Sequence, residues 1–103
     1  MNNRQHLRID YVTSVEIVNG GSAQSARTVN ISQGGVFIET APAPDFDAKV
    51  VLRISLPGVP ETAAIPCIVR WCKGEEGVGL QFENLRAIEV WAINKLLKGL
   101  QPK

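Results

Sequence analysis

Between residues 13 and 82 apolar and polar side chains alternate, and after residue 83 they no longer do. A period of two is what a half-buried strand produces, because successive side chains point to opposite faces. "TSVEIV" (13–18) predicts a first strand, closed by Asn19-Gly20-Gly21, a turn sequence that accepts positive φ. "ARTVNI" (26–31) predicts a second, and "GVFIET" (35–40) a third after a tight turn over residues 32–35. The two prolines of "APAPDFD" argue against a continued central strand. "KVVLRISL" sets Val50, Leu52, Ile54 and Leu56 on one face before the turn signal Pro57-Gly58. "ETAAIPCIVRWC" sets Ile65, Cys67, Val69 and Trp71 on one face. Its Pro66 lacks an N–H and so predicts a sheet edge, a bulge or a strand start. "GEEG" turns the chain back into "VGLQFE", with Val78, Leu80 and Phe82 inward.

From residue 84 the apolar positions recur at steps of three and four. Leu85, Ile88, Ala92 and Leu96 make a stripe that Ile93, Leu97 and Leu100 widen, which predicts a helix over residues 84–100. Asn84 reads as its N-cap and Gly99 as its C-cap, with Lys95 and Lys98 at the negative end of the helix dipole. Trp91, near its middle, reads as a core or docking residue. Six short strands followed by one helix make a mainly β domain, a compact antiparallel barrel or rolled sheet with the helix over one opening or flank.

A chain of 103 residues with 45% hydrophobic content has room for one domain and one core, and it shows no internal repeat or dividing linker. A net charge of +1 argues against the broad basic face of a DNA- or RNA-binding protein, and any anion site must come from local arrangement. Aromatics are too few for a barrel that stacks single-stranded nucleic acid. No apolar run approaches a membrane span and the first residues are too polar for a secretion signal, so the expected location is the cytoplasm, without membrane insertion. Cys67 and Cys72 stand five apart, on opposite faces of a strand, which argues against a disulfide or shared metal and for two reduced, packed thiols. His6 is the only histidine, and no nucleophile has an evident base, so neither a metal centre nor an enzyme is expected.

Two short stretches carry candidate chemistry. In "RQHLR", Arg4 and Arg8 share a face whether the segment is helical or extended. Guanidinium is planar, always charged and able to give paired hydrogen bonds to phosphate or to a guanine edge. In "NISQGG", Asn30 and Ser32 are residue types that satisfy backbone groups at a turn, while Gly34 and Gly35 admit positive φ and a close approach to the backbone. Successive N–H groups there also form an anion nest. Taken together the two stretches fit a ligand that is both an anion and a purine, with an arm at residues 1–12 closing beside a barrel at residues 13–83. The arm would then pay its ordering entropy only on binding.

These stretches resemble the signatures of the PilZ domain family, bacterial receptors for cyclic di-GMP: RxxxR in an N-terminal arm and [D/N]xSxxG on the barrel. The likeness continues through "GGVFIET", "LRISLPG", "CIVRW" and "GVGLQF", nearly the whole chain. It implies a six-stranded antiparallel β-barrel followed by a C-terminal helix. It implies that Arg4 and Arg8 grip the phosphates and stack on or bond to guanine. Asn30 and Ser32 would contact a guanine edge and phosphate, and Gly35 would keep the turn shape. Arg27, Gly34 and Trp71 are weaker candidates expected near the same surface. Many members carry Asp where this chain has Asn30, and Asn offers one acceptor oxygen in place of two. The resemblance implies no cofactor beside the ligand cyclic di-GMP, and an unidentified downstream protein as partner, in motility or biofilm regulation. The alternative is a PilZ-like interaction module without nucleotide binding, but such members typically lack one motif or the other, and both stand here.

Overall fold

The computed structural model describes residues 8–100. Seven strands precede one helix: β1 (Ile9–Asp10), β2 (Ser14–Asn19), β3 (Ser22–Ile31), β4 (Gly35–Glu39), β5 (Lys49–Ile54), β6 (Ala63–Cys72), β7 (Val78–Phe82) and α1 (Ala87–Leu100). All pairings are antiparallel. The sheet runs β1-β3-β2-β5-β6-β7-β4, and β4 pairs back onto β3. Strands β2 to β7 therefore close into a six-stranded barrel, which removes the open edges a flat sheet would expose.

Most of the inward residues that alternation singled out lie in the core, Trp71 excepted. Val50, Leu52, Ile54 and Leu56 are buried, as are Ile65, Cys67 and Val69, and Val78, Leu80 and Phe82 opposite them. Pro66 lies inside β6 but just outside the β6–β7 register, which begins at Cys67↔Phe82. Its carbonyl accepts from the Glu83 N–H at 2.8 Å, so the missing N–H falls beyond the β7 ladder.

The seventh strand is the short β1, within the segment assigned to the arm. It continues along β3 past the end of β2, with Ile9↔Ile31 and Asp10↔Asn30 in register. Buried Thr28 stitches the gap between β1 and β2. Its hydroxyl donates to the Tyr11 carbonyl at 2.5 Å and accepts from the Thr13 N–H at 2.8 Å. Backbone bonds Tyr11 N to Val29 O and Thr28 N to Thr13 O complete the seam. The barrel thus holds the chain from Ile9 onward.

The helix begins at Ala87 rather than at residue 84, and Asn84 is not its cap. Arg86 takes that place: its carbonyl accepts from Val90 N, and Glu89 Oε1 reaches back to accept from Arg86 N at 2.9 Å. This is the returning half of a capping box. Glu89 Oε2 also accepts from Arg86 Nε at 2.8 Å, which leaves the buried carboxylate fully partnered. Glu89 therefore joins Ala92, Ile93, Leu96 and Leu97 on the inward face, and Ile88, expected there, is exposed. Gly99 lies within α1 rather than past its end. Trp91 is half exposed, with Lys95 Nζ 5.7 Å from its ring centroid.

Candidate functional site

Two irregularities in the barrel build the site. The β3–β4 register slips between Thr28 and Asn30, leaving Val29 unpaired, and the β6–β7 register slips between Val69 and Trp71, leaving Arg70 unpaired. A bulge inserts one residue and re-aims the side chains that follow it. At the first bulge Thr28 and Ile31 both face inward, which a regular strand forbids, and Asn30 is carried toward the surface. At the second, Trp71 leaves the inward face that it would share with Val69 and stands 56% exposed. The sequence expectation that Trp71 lies on the face of Ile65, Cys67 and Val69 is corrected by this slip.

Both re-aimed residues open onto one cavity of about 720 Å³, whose wall also includes both bulge residues, Val29 and Arg70. Gly79, paired with Trp71, lets the indole lie against the sheet: a Cβ there would come within 2.6 Å of the ring. Arg8 joins the wall from the end of the arm, and its Nη1 donates to Asn30 Oδ1 at 2.6 Å. The register Asp10↔Asn30 explains the meeting, since it fixes the backbone two residues after Arg8.

The other half of the "NISQGG" motif is structural. Ser32 is buried, 2% exposed, and does not line the cavity. Its Oγ accepts from the Gly34 and Gly35 N–H groups, each at 3.2 Å, and its own N–H donates to the Gly35 carbonyl at 2.8 Å. Gly35 opens β4 without a left-handed backbone; what requires glycine is close approach. A Cβ there would lie 2.2 Å from the Leu80 carbonyl oxygen. The Gly34 carbonyl accepts from Phe82 N at 2.9 Å. Gln33, at the tip of the same turn, donates through Nε2 to Asn94 Oδ1 of α1, which ties the motif to the helix.

Of the residues singled out from sequence, the structure therefore brings together Arg8, Asn30 and Trp71. Ser32, Gly34 and Gly35 set the turn beside them. Arg27 lies apart: it pairs with Glu39 at 3.3 Å and lines an adjoining groove of about 680 Å³ that shares Val29, Phe37 and Glu76 with the cavity. Arg4 lies outside the described residues.

Sequence reasoning missed Phe37, Phe46, Arg70 and Lys73, which also line the cavity. One signal was available: Phe46 is a large apolar residue in the otherwise polar stretch "PDFD". Arg70 gave none, because its position depends on the bulge. It donates to Gln81 Oε1 at 2.9 Å and to Asp47 Oδ1 at 3.0 Å. With Arg8 and Lys73 it gives the lining three cationic side chains against Glu76, its own charge shared with Asp47.

The thiols differ from the expected packed pair. Both are free, but only Cys67 is buried, while Cys72 is exposed at the cavity wall. Burial pushes the Cys67 thiol up to about 12, the effect of Glu83 adding to it and a backbone hydrogen bond at Leu52 opposing it.

The chain matches the family model of the PilZ domain over residues 2–99. It belongs to the PilZ domain family. Solved structures share the fold of this PilZ domain. The PilZ domain of CeSA from a cellulose-synthesizing bacterium superposes with a TM-score of 0.69 at 22% identity, covering 91% of this chain and 97% of that one. The Borreliella burgdorferi PlzA protein in complex with c-di-GMP gives 0.72 at 13% identity, covering 90% of this chain and 40% of that one. The Bacillus subtilis inhibitor of motility, MotI/DgrA, gives 0.72 at 23% identity, covering 98% of this chain and 55% of that one. This PilZ domain thus spans about half or less of the latter two proteins, and at these identities the likeness is one of fold. No curated protein sequence matches the chain. No described helix of this PilZ domain is long and apolar enough to cross a membrane.

Proposed function

We propose that this domain is a receptor or adaptor that binds cyclic di-GMP in the cavity between Arg8, Asn30 and Trp71. The observation that carries the reading is the Arg8–Asn30 bond, which puts an arginine of the arm and the first residue of the barrel motif on one wall. A cavity of about 720 Å³ falls within the usual range for small-ligand sites. Guanidinium forks suit phosphate oxygens and the O6/N7 edge of guanine, and an exposed indole offers a stacking surface for the base. Arg4 would supply a second guanidinium from the arm. Ser32 and Gly35 act through the shape of the turn, so their contribution is to hold Asn30 where the ligand meets it.

The PlzA protein, part of which shares this fold, is in complex with c-di-GMP, and MotI/DgrA is an inhibitor of motility. Both support a signalling role. In this reading the domain works in the cytoplasm, and binding alters how the arm lies on β3 and how the domain meets a protein partner. The Gln33–Asn94 contact offers a second route, from the motif's turn to α1. The output, motility or biofilm regulation, passes through that partner, and no catalytic step is assigned to the domain.

Calorimetric titration with cyclic di-GMP tests the reading, with Arg8→Ala and Ser32→Ala beside the wild type. Micromolar or tighter binding that both variants lose is the expected result. A flat titration with folded wild-type protein overturns it in favour of an interaction module that takes no nucleotide.

A further inference from the structure

The lining of the cavity includes a loop side chain that belongs to neither motif. Phe46 stands 63% exposed on the loop between β4 and β5, flanked by Asp45 and Asp47. Single exposed apolar residues are ordinary on protein surfaces. Phe46 differs because it lines the same cavity as Trp71, Arg8 and Asn30, and because the backbone that presents it is pinned.

The pin is Asp47. Its φ is +70°, a left-handed conformation uncommon outside glycine. Three bonds hold this stretch against β6 and a fourth closes it on itself. Asp47 N donates to Val69 O at 2.8 Å, Val69 N donates to Ala48 O at 2.9 Å, and Ala48 N closes a turn onto Asp45 O at 3.1 Å. Arg70 Nη1 donates to the Asp47 carboxylate at 3.0 Å. Arg70 is itself the bulge residue whose insertion turns Trp71 outward. One irregularity in β6 therefore places the indole and, through Asp47, the loop that carries Phe46.

We propose that Phe46 and Trp71 form an aromatic clamp for one purine base of the ligand, and that the Arg70–Asp47 pair is the latch that positions it. The clamp rests on the cyclic di-GMP reading and adds to it the residue that contacts the base from the loop side. Stacking takes any planar base, so the clamp supplies affinity while Asn30 and the arginines discriminate guanine.

The test is titration of cyclic di-GMP in a Trp91→Phe background, where indole fluorescence reports Trp71 alone, with Phe46→Ala, Phe46→Tyr and Asp47→Gly added singly. Phe46→Ala is expected to weaken binding roughly 5- to 150-fold, the range for losing one base–aromatic stack. Its melting temperature should not change, because the side chain is exposed. Phe46→Tyr keeps the ring and should restore binding. Asp47→Gly keeps the left-handed backbone and loses the carboxylate, so it should fold normally and bind more weakly than wild type. Wild-type affinity in Phe46→Ala overturns the clamp and leaves the receptor reading standing; wild-type affinity in Asp47→Gly overturns the latch. A background protein that shows neither heat nor quenching overturns the receptor reading and the clamp together.

Discussion

Arg8 Nη1 donates to Asn30 Oδ1 at 2.6 Å, across 22 positions of sequence. The contact joins the residue just before β1 to the end of β3. It exists because Asp10 is in register with Asn30, so the side chain two residues before Asp10 reaches the same rim. It also engages one of the two lone pairs on the single oxygen that an asparagine side chain offers.

Asn30→Asp supplies a second acceptor oxygen, one for Arg8 and one for the N1–H and N2–H of guanine. Charge-assisted bonds exceed neutral ones by about 1 kcal/mol, so cyclic di-GMP should bind roughly fivefold to tenfold more tightly. Calorimetry on the two proteins at one ionic strength checks this. Weaker binding by the aspartate form would mean that Asn30 serves the ligand through its amide N–H groups instead.

Gly35→Ala should destabilise the fold through contact rather than φ, because its Cβ would come within 2.2 Å of the Leu80 carbonyl. Forcing β4 and β7 apart is expected to cost about 1–3 kcal/mol, a drop of roughly 4–8 °C in melting temperature for each kcal/mol. Gly21, which has nothing within 4 Å of its Cβ position, is the control, and Gly21→Ala should stay within about 0.5 kcal/mol of wild type. Equal melting temperatures for the two variants would show that the strands yield without cost.

The two thiols should separate in reactivity and in their effect on pH stability. A colorimetric thiol reagent should titrate Cys72 in the native protein and both cysteines after unfolding. Cys67 is raised in the folded state from an ordinary 9.0 to about 12, so folded protein holds its proton where unfolded protein releases it. Its contribution is complete below pH 9.0 and falls away as the pH rises toward about 12. Denaturant melts across that range should therefore lose stability more steeply in wild type than in Cys67→Ala. Parallel curves would refute the assignment.

The strands were legible because inward residues such as Val50, Leu52 and Ile54 repeat at period two, and burial on one face enforces that period. The helix was legible as an element but not at its ends. Asn84 resembles a cap by residue type, yet the first helical turn formed three residues later, where Glu89 could reach back to Arg86 N. Ile88 was misplaced for the same reason: a buried carboxylate, once fully partnered, took the inward position that hydropathy assigned to it.

Of the site, Arg8, Asn30 and the turn at Ser32–Gly35 were readable as residue types whose chemistry suits an anionic purine. Local sequence therefore determined the strands, the helix, the turn and the arginine of the arm, because each follows from propensity and from which side chains must leave water. Only the closed barrel decided that these pieces share a cavity with Trp71, Phe46 and Arg70. That outcome hangs on two register slips, at Val29 and Arg70. A slip is settled by how neighbouring strands pair across the barrel, and a strand's own alternation carries no record of it.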